Sequence, residues 1–246
     1  MDNLEAYMYL LQYPVFSTVE VEDIVARGPT TYALLQRLME RGAIRRIRSG
    51  IYTPVDLRTG RILATPFDIA AAAAQDGFLV HRAAMACHGI EPDPVKVCQV
   101  ACQNRFRTFR FDGITYKPAR LTHSFGATNY NRVRATDLER TLLDAIHQPT
   151  VFGDLALLCR CLESVTTLNE QTLLTYLEQI NSPTLYSKCG YLLQRYQGSL
   201  GISATLLQIL GERKSSNTRY LGSQADTDNV QISQWNLRVP TWLEGV

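Results

Sequence analysis

The chain has no apolar run approaching the ~20 residues of a membrane-spanning helix, although 46% of its 246 residues are hydrophobic. Its opening, MDNLEAYMYLL, carries two acids and no base ahead of the apolar positions, unlike a secretory signal. Neither GxxxxGK nor GxGxxG occurs, so the usual phosphate-loop and dinucleotide cradles are missing. Six cysteines include no CxxC, and the four histidines are scattered. Cys159 and Cys161 fall on opposite sides of a helix, which leaves a structural zinc site with little support. No internal repeat or low-complexity tract stands out. These absences point to a cytoplasmic protein whose cysteines are thiols, long enough for one large domain or two modest ones.

Lysine is scarce too, since 21 of the 25 basic residues are arginine, the side chain suited to forked contacts with phosphate and guanine. The net charge is only +2, but it is unevenly spread. From Arg27 to Arg61 eight arginines face Glu40 and Asp56, a local balance of +6. From Arg105 to Arg134 six arginines and Lys117 face Asp112 alone, again +6, so the remainder carries −10. Two basic segments on a nearly neutral chain predict local contact with an acidic polymer.

The segment from Pro29 to Pro54 organises the rest. At 100° per residue Leu34, Leu35, Leu38, Met39 and Tyr32 share one arc of a helix. Thr30, Ala33, Gln36, Arg37, Glu40 and Arg41 share the other. Gly42 stands where a helix takes a left-handed residue. Ile44 to Val55 then has the β-branched content of a strand pair turning at Ser49-Gly50, though its in-out alternation is irregular. Upstream, Asp2 is the expected cap of a helix through Leu4, Tyr7, Met8 and Leu11, ended by Pro14. Ser17 and Glu20 have capping-box spacing for a second helix, with Val21, Ile24 and Val25 inward and Gly28-Pro29 as the break. Three helices and a basic hairpin in about 55 residues have the outline of a winged helix-turn-helix. The expected fold is α+β, with that DNA-binding domain at 1–58 and a mixed α/β domain of a small sheet and several helices at 59–246.

For a DNA contact, Gln36 suits adenine and Arg37 suits guanine, each through a paired hydrogen bond. Thr30 and Thr31 at the helix start suit phosphate or base edges, with Tyr32 and Ser49 beside them. Arg45, Arg46 and Arg48 in the wing suit phosphates or the minor groove.

Downstream, Asp56 to Ala64 reads as a linker or extended wing, and Thr65 caps a short helix that Pro66 begins. A strand at Phe78–Val80 and a helix closed by Gly89 follow. Strands at Val95–Val100, Arg107–Phe111 and Ile114–Pro118 come next, the last two joined by Asp112-Gly113. Arg105, Arg107 and Arg110 interleave with Phe106, Phe109 and Phe111, which reads as a sheet with one packed face and one wet face. Thr136 to His147 is a helix with a Thr136/Glu139 capping box, a Leu138, Leu142, Ala145, Ile146 stripe, and an Arg140–Asp144 pair worth a few tenths of a kcal/mol. Helices are expected near 152–163, 170–180, 183–197 and 203–213, then a loop at 214–229 and a strand at 230–238.

No constellation for catalysis assembles. A metal nuclease wants an acid, then acid-x-Lys on the next strand. Asp93 precedes VKVCQV, but the second position reads Gln99-Val100-Ala101. Helical phase and capping account for Asp137, Glu139 and Asp144. The chain therefore reads as a non-enzyme with no catalytic residue, metal or cofactor. A nuclease with a DNA-binding front end and a ligand-responsive regulator are the two rival classes.

The order of pieces is the most specific signal: IRRIRSGIYTPV, PFDIAAAAAQDGFLVHRAAMACHGI, RTFRFDGITYK, VRATDLERTLLDAIHQP and SPTLYSKCGYLL. In this order, from about Phe16 to Leu193, the chain resembles the AbiEi antitoxins of bacterial type IV toxin–antitoxin and phage-defence systems. Asp137, Glu139, Arg140, Thr141 and Asp144 match its most specific motif, and RSGIY its second. The chain departs from the pattern at Lys188-Cys189 and around His81. The resemblance implies autorepression through inverted repeats in the operon's own promoter, read as duplex DNA by a dimer. It also implies that the C-terminal domain counteracts a nucleotidyltransferase-like toxin, with or without a stable complex, and it implies no membrane partner.

Overall fold

A computed structural model describes residues 3–25, 29–90, 92–222 and 228–244. The expected cap Asp2, the Gly28 break and the side chains of Ile24 and Val25 lie outside them. The fold is mixed α+β with small sheets. Two compact units divide it: unit 1 is 1–79, 96–122 and 129–134, and unit 2 is 80–95, 123–128 and 135–246. The boundary expected after residue 58 falls inside unit 1.

Unit 1 opens with α1 (Asn3–Leu10), the two-residue strand β1 (Phe16–Ser17) and α2 (Thr18–Val25). Ser17 and Glu20 make the expected reciprocal cap: the Ser17 amide donates to Glu20 Oε2 at 2.5 Å and the Glu20 amide to Ser17 Oγ at 3.2 Å. The third helix, α3 (Pro29–Glu40), buries Leu34, Leu35 and Leu38 against Tyr7, Leu10, Phe16 and Ile44. Gly42 ends it at φ +67°, and the Ala43 and Gly42 amides reach back to the Leu38 and Met39 carbonyls at 2.9 Å each. That is the Schellman arrangement, which satisfies carbonyls the helix leaves open.

Strands β2 (Ile44–Arg48) and β3 (Ile51–Asp56) pair antiparallel, and β1 adds to β3. The register slips between Arg46 and Arg48, because Arg46 lies opposite Tyr52 and Arg48 opposite Ile51. This bulge explains the irregular alternation: Arg45 and Arg46 both face out, and Ile47 faces in. Asp56 to Ala64 is no linker. Strand β4 (Arg61–Ile62) folds back on β3, and the Asp56 carboxylate accepts from the Arg58 and Thr59 amides at the bend. Those donors favour the carboxylate and hold its pKa below the usual value.

The chain continues through α4 (Pro66–Ala73), with its Thr65/Asp68 capping box, then β5 (Phe78–Val80) and α5 (His81–Cys87). Strands β6 (Val97–Cys102), β7 (Phe109–Phe111), β8 (Ile114–Arg120), β9 (Ala127–Tyr130) and β10 (Val133–Thr136) follow. The largest sheet has the order β7-β8-β6-β5-β10-β9. Within unit 1, β7 and β8 form the expected hairpin through Asp112-Gly113, both at positive φ, and β8 runs parallel to β6.

Unit 2 is dominated by helices: α6 (Leu138–His147), α7 (Pro149–Phe152), α8 (Leu155–Ser164), α9 (Glu170–Ile180), α10 (Pro183–Arg195), α11 (Gln197–Leu200) and α12 (Ala204–Glu212). The helices expected near 152–163 and 183–197 are α8 and α10, each with an unexpected helical turn beside it, α7 before and α11 after. Gly153 and Asp154 separate α7 from α8, with Asp154 capping α8 by accepting from the Leu157 amide at 2.7 Å. A small sheet of β11 (Arg219–Tyr220), β12 (Asn229–Ile232) and β13 (Leu237–Pro240) closes the chain. Trp235, between its last two strands, packs against Gly190 of α10, where any Cβ would overlap the ring. Its core gathers Leu142, Leu143, Leu158, Leu162, Leu177 and Leu192.

Candidate nucleic-acid interface

The polar arc of α3 stands in solvent. Thr30, Gln36 and Arg37 are exposed. Gln36 donates to Glu40 at 3.0 Å, and Arg37 donates through Nε to Asn3 Oδ1 at 3.3 Å, both at the surface, where water competes for either bond. Two expectations need correction. Thr31 is 0% exposed and is part of the packing, so it has no access to DNA. Tyr32, expected on the buried arc, is 61% exposed beside Gln36. At the first turn Thr31 takes the inward position and Tyr32 the outward one. Tyr32, Gln36, Met39, Arg46, Ser49 and Gly50 line an open groove of about 350 Å³ between the helix and the hairpin turn.

The three wing arginines have separate fates. Arg46 is exposed, with one intrachain bond from Nε to the Arg48 carbonyl at 3.4 Å. Arg45 pairs with Asp112 at 3.2 Å and lies 4.8 Å from the centre of the Phe111 ring. Arg48 lies over Phe109 at 5.4 Å and Phe106 at 6.0 Å, and its buried Nη1 has no hydrogen-bond partner among the described residues. The wing thus uses Arg45 and Arg48 to hold the β7–β8 hairpin. Arg45 and Arg46 are exposed and Arg48 is half-buried, and of the two exposed ones Arg46 is the one not paired with an acid among the described residues.

Both basic segments of the sequence therefore belong to one body. Counted over the sequence, unit 1 has 16 basic residues against 10 acidic, and unit 2 has 9 against 13. The β7–β8 hairpin splits as its alternation predicted. Phe109 stacks on Tyr116 at 4.9 Å on the side that Arg45 and Arg48 cover, while Arg110 and Lys117 are exposed.

The motif on α6 is a set of braces. Asp137, and not Thr136, caps the helix by accepting from the Arg140 amide at 2.8 Å, and it also accepts from the Tyr176 hydroxyl at 2.5 Å. Burial first, and then that bond to Asp137, raise the Tyr176 pKa. Arg140 is 3% exposed, pairs with Asp144 at 2.9 Å, donates to the Phe125 carbonyl at 3.2 Å and stacks on Phe125 at 4.4 Å. Its pairing is buried, which corrects the few tenths of a kcal/mol expected of an exposed one. Gly126 makes room for it: a Cβ there would stand 2.8 Å from that of Arg140. Thr141 is buried and bonds Thr136 and the Asp137 carbonyl, and Glu139 accepts from the Asn169 amide at 2.7 Å. Every member of the motif makes at least one polar contact inside unit 2.

Asp93 pairs with Arg160 at 2.6 Å. All six cysteines are buried free thiols; burial pushes Cys87 up to about 11 and Cys189 higher still, which disfavours the reactive thiolate.

The fold is similar to a solved one. The crystal structure of the RV2827C protein from Mycobacterium tuberculosis superposes with a TM-score of 0.66 over 95% of this chain and 89% of that one. Identity is 13%, so the likeness is one of fold. No protein-family model matches the chain, and no curated protein does.

Sequence reasoning missed the docking of the wing on β7–β8. Nothing local signals it, although Asp112, the lone acid among seven bases, was a hint that some guanidinium elsewhere needed it.

Proposed function

We propose that the protein is a DNA-binding repressor and antitoxin of the AbiEi type. In this reading α1 to β3 form a winged helix-turn-helix with α3 as the reading helix. The observation that carries it is the outward display of Tyr32 and Gln36 along a groove closed by Arg46 and Ser49, with Arg37 exposed next to Gln36, on a unit with six more basic than acidic residues. Gln36 and Arg37 are one residue apart on an accessible helix face and can each meet a base edge in a major groove about 12 Å wide. A dimer reading inverted repeats would place two such helices one helical turn apart.

The antitoxin half of the proposal is supported by the resemblance over residues 137–144. Because those side chains brace one another, the toxin-opposing surface would be formed by the elements they hold in place and not by the five residues themselves. This role needs no membrane and no catalytic group, and fits a cytoplasmic protein.

The test is binding to a duplex of the gene's own upstream region at low ionic strength, together with growth rescue of cells expressing a nucleotidyltransferase-like toxin cloned from beside the gene. No preference for the upstream duplex over a scrambled one rejects the repressor reading. Failure to restore growth rejects the antitoxin reading.

A further inference from the structure

We infer that unit 1 carries a pocket for a guanidinium group, set between α1 and α2 and independent of the DNA-binding reading above. Tyr9, Leu10, Tyr13, Phe16, Glu20 and Asp23 line a cavity of about 300 Å³. That is the small end of the range for ligand sites, suited to a head group or a side chain. Leu10 and Phe16 are buried and supply its floor. Tyr52 holds Phe16 in place, stacked on it at 5.8 Å and 18°. The Tyr9 and Tyr13 rings lie 5.6 Å apart and tilted by 40°, with their hydroxyl groups 3.1 Å from each other. The aromatic walls are therefore built before any ligand arrives.

The acids of this cavity have no cation of their own. Residues 1–26 carry five acids and no base, although unit 1 as a whole has more bases than acids. Glu20 and Asp23 are exposed and stand three apart on α2, which puts them on one helix face. Among the described residues the Glu20 carboxylate meets only the Ser17 amide, through Oε2 at 2.5 Å, and the Asp23 carboxylate has no partner. A solvated acidic face needs no rings beside it. A hard metal ion takes a shell of oxygens, whereas rings and Leu10 make up most of this wall. An alkylammonium is a compact, strongly hydrated charge that gives up more water on meeting the same rings. A guanidinium suits both halves: its flat face lies against aromatic rings, and its forked donors meet carboxylates.

The experiment titrates the full-length chain with N-acetylarginine amide and follows the tyrosine ring signals by NMR. A fragment of this size should bind with a Kd of about a millimolar. N-acetylcitrulline amide, its uncharged isostere, should bind about tenfold more weakly or worse, because its hydrogen bonds lack charge assistance. The double variant Glu20→Gln, Asp23→Asn keeps an acceptor for the Ser17 amide, so it should show that same loss at the parent's unfolding midpoint. Tyr13→Leu should weaken binding about two- to fivefold, the worth of an exposed contact between a cation and a ring. An arginine-bearing tripeptide that binds more tightly than the amide assigns the pocket to a protein's arginine. Tighter binding of agmatine assigns it to a free guanidinium compound. Equal binding of the citrulline probe, or a titration that does not saturate in the millimolar range, overturns the pocket. So does a loss on removing the acids with none in Tyr13→Leu, since a bare acidic patch then accounts for the binding. None of these outcomes depends on operator binding by α3.

Discussion

In unit 1 Arg37, Arg46 and Arg110 stand in solvent, whereas in unit 2 Arg140 is 3% exposed and has a carboxylate, a carbonyl and a ring for company. The same side chain does opposite work in the two places. Exposed guanidinium groups contribute little to folding and leave their donors free for a ligand. A buried one must have its donors met, and then it orders the segments that meet it. Arg45 and Arg48 sit between these extremes, half committed to the β7–β8 hairpin. The number of arginines thus says little about binding until burial sorts them.

The strongest way to break that contrast is Arg140→Ala. It strands Asp144 and the Phe125 carbonyl and should cost about 3–5 kcal/mol of stability, read from denaturant unfolding. A loss under about 1 kcal/mol would place Arg140 with the surface arginines. Next comes Arg37→Ala, which should leave unfolding within about 0.5 kcal/mol of the parent. It should cost roughly 1–3 kcal/mol of operator binding and relax sequence preference; unchanged affinity and preference in a gel-shift series remove it from the interface. Arg46→Ala should act more weakly, reducing affinity for every sequence alike and the salt slope by about 0.9. A sequence-dependent loss would make it a base reader.

The smallest effect is on the alkaline side. Tyr176 is held protonated above its ordinary value of 10.0, first by burial and then by its bond to Asp137. A raised folded-state pKa gives stability that is complete below the unfolded value and is lost as pH climbs above it. The parent should therefore lose stability above pH 10 more steeply than Tyr176→Phe, in urea midpoints taken at rising pH. Parallel curves would show that the hydroxyl is not buried in solution.

Where local chemistry decides, the sequence was legible. Gly42, the Ser17/Glu20 and Thr65/Asp68 caps, the Asp112-Gly113 turn and the leucine arc of α3 lie where spacing puts them, because each needs only neighbours within one or two turns. What escaped depended on distant partners. Thr31 looked like a helix-start donor until the packing of unit 1 closed over it. Arg45 and Arg48 looked like phosphate ligands because the rings they cover come about 60 residues later. The Arg140–Asp144 pair was valued at a few tenths of a kcal/mol because Phe125, which helps to bury Arg140, and Asn169 and Tyr176, which answer Glu139 and Asp137, come from elsewhere in the chain.

The docking of Arg45 and Arg48 on β7–β8 bears on any attempt to study the first 58 residues as a separate fragment. Severed there, the piece would lose the rings that the two guanidinium groups lie over and the carboxylate that pairs with Arg45, so its wing would gain net positive charge. Such a fragment should cling to DNA more tightly and less selectively than its parent, flattering the affinity while blurring the recognition.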